Sequence, residues 1–377
     1  MQSADREVVV RLDHLFAGFP LPDPVASPIM IALNRRSGGS PAEGPDLFDS
    51  SVDGEVLAEA MSLGDQEFRI TRLLNDRKLD AEPEQLHLHS AAVAKDGRAV
   101  LLAGRSGLGK SSLTAALVRG GWEYLTDEMV GLSVPDGRVT PYPRPLTLRA
   151  GTWASFPELG PYPQVPPESA GNARIEVSPV DLGAVASGTP VEVVAIVAPR
   201  FIADEPVGVR AIATAAETME LLTSCCYDLE RLRATGAQVL VDLAGRGTAW
   251  QLDYCDLDDA VHSFDELIAS AQFRPALGVD HVPPQPYAQP APPGSLRRAP
   301  DAHAWSFSDG SAVVFGPTIL QLSRLDHPGF ELWDELATPQ DLDSLSAAVG
   351  AHAVGARESL SKWIDMMIQV GLVEVVS

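Results

Sequence analysis

The chain has 377 residues, of which 45% are apolar and 21% charged, enough for two or three domains with buried cores. Its net charge of −23 and pI of about 4.6 exclude a general nucleic-acid- or membrane-binding surface, so any phosphate site must be a local positive spot. The cysteines, Cys225, Cys226 and Cys255, have no zinc-ligand spacing, and no run approaches the roughly 18 apolar residues of a membrane span.

Residues 1–83 are expected to form a β-rich N-terminal region, with "EVVVRLDHLF" and "EFRITRLL" as strands and a Gly/Pro/Ser-rich loop between them. The first residues carry acids and no long apolar core, which excludes a signal peptide. With the reduced cysteines, this suggests a cytoplasmic protein.

Residues 84–273 are expected to form a second domain. "QLHLHSAAVA" reads as a strand, "KDGR" as a turn and "AVLLAG" as a second strand, the Asp-Gly pair marking a hairpin. A helix follows from Lys110 to about Arg119 and stops at Gly120-Gly121. "YLTDEMVGLSV", "VEVVAIVAP" and "AQVLVDLA" read as strands. "AAETMELLTSCCYDLERLRATG" and "DLDDAVHSFDELIASA" read as helices, the latter capped near Asp256.

Residues 274–300 are proline-rich and read as an extended spacer. Residues 301–377 then read as a small third domain. It opens with the hairpin "AWSFSDGSAVVFG", continues with helical spacing in "ILQLSRL", "ELWDEL" and "ARESLSKWIDMMIQVG", and closes with the strand "LVEVV".

The strongest chemical signal is Gly104-Arg105-Ser106-Gly107-Leu108-Gly109-Lys110-Ser111, a complete G-x-x-x-x-G-K-[ST] between an apolar strand and a helix. Its glycines let consecutive backbone N–H groups of a curled loop face one anion. The helix that begins at Lys110 adds its positive end. Gly104, Ser106, Gly107, Leu108, Gly109, Lys110, Ser111 and Ser112 are therefore the expected nucleotide contacts, with Lys110 on the outer phosphates and the Ser111 hydroxyl on Mg²⁺.

Asp127 and Glu128 follow soon after Lys110, at a strand end fed directly by the phosphate-loop helix. One carboxylate would hold the cation, with Glu128 as candidate beside Ser111. The other, Asp127, would orient an acceptor hydroxyl and take its proton. Asp242-Leu243-Ala244-Gly245 imitates a GTPase D-x-x-G, but no N-K-x-D guanine reader occurs, and Asp242 is read as an ordinary strand-end residue.

"LHLHSAAVAKDGRAVLLAGRSGLGKSSLTAALVRGGWEYLTDEMVGL" resembles the catalytic domain of HPr kinase/phosphorylase, especially its relatives associated with ribosomal peptide modification, such as lasso-peptide kinases. The likeness spans roughly residues 85–272. His89-Ser90 matches the His-small pair before the P-loop, and Gly121-Trp122 leads into the acidic pair, although the family usually has Asp-Asp. The family's second signature is not recognisable. The resemblance implies an α/β P-loop kinase core with a mixed sheet. It also implies ATP and Mg²⁺ as cofactors, Asp127, Glu128 and His89 as catalytic residues, and Arg144, in "YPRPLTLRAG", meeting phosphate or substrate. His87 shares a strand face with His89, and Arg200 lies at another strand end.

Residues 303–377 resemble the PqqD-like fold, a winged-helix module that captures the leader of a precursor peptide. Leu320-Gln321-Leu322-Ser323 stands where that family usually has Leu-Asn, and Val313, Val314, Phe315 and Trp363 are candidates for the groove or for core. Together the two resemblances imply an ATP-dependent Ser/Thr kinase of a precursor peptide, without nucleic-acid or membrane partners and with self-association left open. The alternatives are a nucleotide-responsive peptide carrier and a small-metabolite kinase.

Overall fold

In the computed structural model, residues 5–17, 30–36, 46–165, 171, 173–184, 188–270, 276–287, 290–316, 321–348 and 356–376 are described. The chain divides into two units. One comprises Met1–Ser133, Arg138–Val209 and Leu252–Ser270, the other Val134–Gly137, Arg210–Gln251 and Ala271–Ser377.

In the first unit, helix α1 (Arg6–Leu15) begins where the Asp5 side chain accepts the Glu7 N–H. Val8, Leu12 and Leu15 fall on its buried face. "EVVVRLDHLF" is therefore a helix rather than the expected strand: the cap and the three-to-four-residue apolar spacing outweigh its β-branched run. Strands β1 (Ile31–Arg35), β2 (Phe48–Val52) and β3 (Glu55–Met61) form an antiparallel sheet. Helix α2 (Leu63–Ala81), capped by Ser62, contains "EFRITRLL", also expected as a strand. Its Ile70 packs with Val8, Leu12, Ile31, Leu33 and Phe48. The N-terminal region is thus mixed rather than β-rich.

The chain continues through β4 (Gln85–Leu88), β5 (Ala91–Lys95), β6 (Arg98–Leu102), α3 (Lys110–Arg119), β7 (Glu123–Thr126), β8 (Val130–Ser133) and β9 (Val139–Thr140). Next come β10 (Leu146–Arg149), β11 (Arg174–Val177), β12 (Glu192–Phe201), β13 (Gly208–Ala211), α4 (Ala215–Thr223), α5 (Leu229–Ala244), β14 (Ala249–Tyr254) and α6 (Leu257–Ser270). The central sheet has the order β13-β14-β12-β6-β5-β7. Strand β12 is parallel to β6, whereas β5 is antiparallel to both β6 and β7, so this is an α/β fold on a mixed sheet.

The hairpin at Asp96-Gly97 has both φ angles positive, at 53° and 71°, as a tight two-residue turn requires. "QLHLHSAAVA" divides into two strands in different sheets: β4 pairs with β8, and β5 with β6 and β7. "YLTDEMVGLSV" divides likewise into β7 and β8, with Asp127 and Glu128 in the break. Val93, Ala94, Val100, Leu101, Leu102, Leu113 and Leu117 are fully buried around the central strands and α3.

In the second unit, "AQVLVDLA" lies in helix α5, not in a strand, and Asp242 is a helical residue that accepts from Gln238. The chain then forms β15 (Val279–Val282), β16 (Leu296–Arg298), β17 (His303–Phe307), β18 (Ala312–Gly316), β19 (Gln321–Leu325), α7 (His327–Glu335), α8 (Leu342–Ala348), α9 (Ala356–Gln369) and β20 (Val373–Val375). One sheet has the order β15-β17-β18-β19, and β16 pairs with β20. The proline-rich stretch read as a spacer thus contributes two paired strands.

Residues 321–325 form a strand where "ILQLSRL" suggested a helix; Leu320 lies outside the described residues. Val313, Val314 and Phe315 are fully buried, so they belong to the core rather than to an open groove. Trp363 is partly buried and packs against the cluster that contains Val314. Among the described residues, no helix is long and apolar enough to cross a membrane.

Candidate active site

The loop between β6 and α3 curls because three of its residues take backbone conformations that suit glycine: φ is 148° at Gly104, 86° at Gly107 and 98° at Gly109. Gly109 is the N-cap of α3, and among the described residues no side chain caps its first amides. The Tyr254 hydroxyl donates to the Gly109 carbonyl at 3.1 Å. A Cβ on Gly109 would lie 2.1 Å from that hydroxyl oxygen, so glycine is required there for space as well as for φ. Ser106 and Gly107 are exposed at the tip of the loop, while Leu108, Ser111 and Ser112 are half-buried. The Leu108 carbonyl accepts from the Phe201 N–H at 3.2 Å.

The Lys110 side chain folds back into this loop. Its Nζ donates to the carbonyls of Gly104 (2.6 Å) and Arg105 (3.1 Å), and the residue is buried. One helical position on, the Ser111 hydroxyl donates to Asp127 Oδ1 at 3.1 Å. Asp127 is fully buried, and its Oδ2 has no hydrogen-bond partner among the described residues. Burial pushes its pKa up, helped by the charge of Glu128 and opposed by Arg144, the Ser111 hydrogen bond and Lys110.

Glu128 takes a positive φ of 70°, which turns the chain out of β7 and into β8. The bend is closed by Thr126, whose hydroxyl donates to the Met129 carbonyl at 2.8 Å. Arg144 lies beneath it, only 2% exposed. Its Nη1 donates to Glu128 Oε2 at 2.7 Å and to the Asp127 carbonyl at 3.0 Å. Burial alone would raise the Glu128 pKa, but the charge and hydrogen bond of Arg144 outweigh it and hold the carboxyl below its usual range. The two neighbouring acids therefore differ electrically, with Asp127 shifted toward its neutral form and Glu128 kept ionised.

His89, just past β4, is half-buried. Burial lowers its pKa, as do the charge of Lys110 and, more weakly, that of Arg144; Glu128 opposes them, and the net shift favours the neutral imidazole. Its strand neighbour His87 is fully buried and faces Glu82, with 3.5 Å between Nε2 and Oε2. Arg200 is engaged in a two-pronged pair with Asp253, at 2.9 and 2.8 Å.

Sequence spacing brings the P-loop, Asp127 and Glu128 into view, and the resemblance adds His89 and Arg144. Spacing does not reveal Tyr254, because the contact it makes links positions 145 apart in the chain. Nor does it reveal Glu176 on β11, a buried carboxyl that accepts from Thr147 at 2.9 Å. Burial, opposed by the charge of Arg144, pushes Glu176 up to about 8.

Among the described residues, no three His, Cys, Asp or Glu side chains gather to hold a metal ion. What the site offers instead is Ser111 beside the buried, half-satisfied carboxyl of Asp127. That is a hydroxyl and a carboxylate of the kind that hold Mg²⁺ when phosphate oxygens and water complete its shell.

No family model matches the chain, and no curated protein matches it. Among solved structures, it is similar to the Hpr(Ser) kinase/phosphatase from Coxiella burnetii. The identity is 13%, the match covers 49% of this chain and 99% of that one, and the TM-score is 0.22. A likeness this slight carries no weight in assigning a function, which rests on the residues described above.

Proposed function

We propose that the protein is an ATP-dependent P-loop kinase that phosphorylates a Ser or Thr hydroxyl of a peptide. The observation that carries the reading is the Ser111–Asp127 hydrogen bond at the foot of a glycine-curled loop that also holds Lys110. Loop amides and the start of α3 would bind the phosphates, and Lys110 would exchange its loop carbonyls for the outer phosphate oxygens. Ser111 and Asp127 are the residues suited to hold Mg²⁺, which would supply charge neutralisation on the triphosphate. The Ser111 contact favours Asp127 over Glu128 for the cation, and so exchanges the two roles that spacing alone suggested.

Glu128, kept ionised by Arg144, would orient the acceptor hydroxyl and accept its proton as the new O–P bond forms and the bond to ADP breaks. His89 would be an uncharged neighbour able to hydrogen-bond the acceptor. Arg144, being buried, would act on Glu128 rather than touch the substrate.

The peptide half of the reading rests on the PqqD-like resemblance and on β15, an outer strand of its sheet with Val279, Asp280 and His281 exposed, to which an extended peptide could add. A cytoplasmic location belongs to the same proposal.

The test is transfer of labelled γ-phosphate from MgATP to a library of Ser- and Thr-containing peptides, alongside calorimetric binding of MgATP. The full chain is expected to label peptides with a gain of about 80 Da. Asp127→Asn should lower transfer by at least about a hundredfold and weaken the magnesium dependence of binding. Nucleotide binding with no labelled hydroxyl in any peptide would replace the kinase with a nucleotide-dependent carrier.

A further inference from the structure

Phe201 ends β12, a strand parallel to the one that leads into the phosphate loop and paired directly with it. Ligands of open α/β sheets bind outside the carboxyl ends of such parallel strands. Most of β12 is buried or half-buried, yet Phe201 is 52% exposed, the most exposed aromatic ring among the described large apolar residues. A single exposed apolar side chain is ordinary by itself; what sets this ring apart is where it stands, at the carboxyl end of the strand beside the loop, with a face open for a flat ligand to cover.

The ring is also held in place. It meets Tyr254 edge-on, with centroids 5.8 Å apart and planes at 76°. The Tyr254 hydroxyl in turn bonds the Gly109 carbonyl, and the Phe201 N–H bonds the Leu108 carbonyl. Phe201 Cβ is 3.6 Å from where a Cβ on Gly109 would be. Two hydrogen bonds and one ring contact thus fix a flat apolar face beside the residues that begin the phosphate-binding helix.

Its immediate neighbours leave little for polar recognition of a ligand. Arg200 is already paired with Asp253, and the Ile202 N–H is bonded to the Tyr254 carbonyl at 2.8 Å.

We propose that Phe201 is the stacking platform for the base of the bound nucleoside triphosphate. This rests on the phosphate-loop reading above. Phe201 offers a π-face and no hydrogen-bonding group, so it adds affinity for any purine without reading the base edge. Tyr254 acts as a positioning residue that ties the ring to the loop.

The experiment is calorimetry with three magnesium-bound probes, ATP, GTP and inorganic tripolyphosphate, on the full chain and on Phe201→Ala and Phe201→Trp. Because the side chain is half exposed, neither change should disturb folding, which a melting curve checks. Expected are a loss of about tenfold or more in ATP and GTP affinity for Phe201→Ala, recovery in Phe201→Trp, and unchanged tripolyphosphate binding throughout. The wild type should also bind ATP and GTP within about tenfold of each other. Equal ATP affinity in wild type and Phe201→Ala, with tripolyphosphate still bound, would overturn the platform and leave the phosphate loop standing. Failure of the wild type to bind either tripolyphosphate or ATP would overturn both.

Discussion

At the scale of single residues, Gly109 is where loop geometry and packing coincide. With φ at 98° and a Tyr254 oxygen 2.1 Å from any added Cβ, Gly109→Ala forces either the tyrosine or the turn to move. The expected result is a loss of about 1–3 kcal/mol in thermal or denaturant stability and weaker nucleotide binding. Adding Tyr254→Phe should restore part of the stability, because the hydroxyl oxygen is the nearest obstacle; no recovery would mean that φ strain alone accounts for the loss. Glu176 gives a pH test. Its folded pKa of about 8 lies above the ordinary 4.5, so the folded state holds a proton that the unfolded chain releases. The stability from that proton is full below about pH 4.5 and declines as pH rises toward 8, after which the deficit is constant. Glu176→Gln should therefore flatten the decline in denaturant midpoint between pH 5 and 8, a difference on the order of a few kcal/mol at most. Parallel curves for the two proteins would refute it. The phosphate-loop motif and the acidic pair are legible as candidates because their residues lie close together in the sequence. Glu176 and Tyr254 are not, because only the fold gives a lone Glu or Tyr its burial and its partner.

At the scale of elements, local signals served where they were strong. The Asp96-Gly97 hairpin and α3, bounded by Gly109 and Gly120, have the termini that turn chemistry dictates. Helix α6 follows Asp256, whose Oδ1 accepts from the Asp258 and Asp259 amides. Two β-branched runs are helical. "VVV" in α1 and "QVLV" in α5 have strand-like composition, but the first is set by a capped amphipathic face and the second by a largely buried helix. The strand end at Asp127-Glu128 is legible, but the turn into a second strand is not, because Glu128 is a non-glycine residue at positive φ, a conformation its sequence does not advertise. The third region also has more partners than a tethered module would have. The Ala215 and Ala216 amides donate to Asp309 and Ser311, and Trp305 Nε1 donates to Gln238 at 2.9 Å. Removing residues 301–377 should therefore uncover α4 and α5. The shortened chain is expected to melt at lower temperature with reduced cooperativity, whereas an unchanged transition for the remaining part would show that α4 and α5 stand without those contacts.

At the scale of the whole molecule, the net charge of −23 opposes the approach of any polyanion, so attraction has to come from the first few ångströms of the loop. There the Lys110 ammonium already satisfies two backbone carbonyls. An arriving anion does not meet a bare cation; it has to outbid an internal ligand. Under the kinase proposal, chloride or a single phosphate would gain little by that exchange, while a triphosphate would spread several oxygens over amides, ammonium and cation together. On the proposed reading the loop would work as a threshold device, indifferent to the common small anions around it and responsive to a ligand long enough to reach every donor in one engagement.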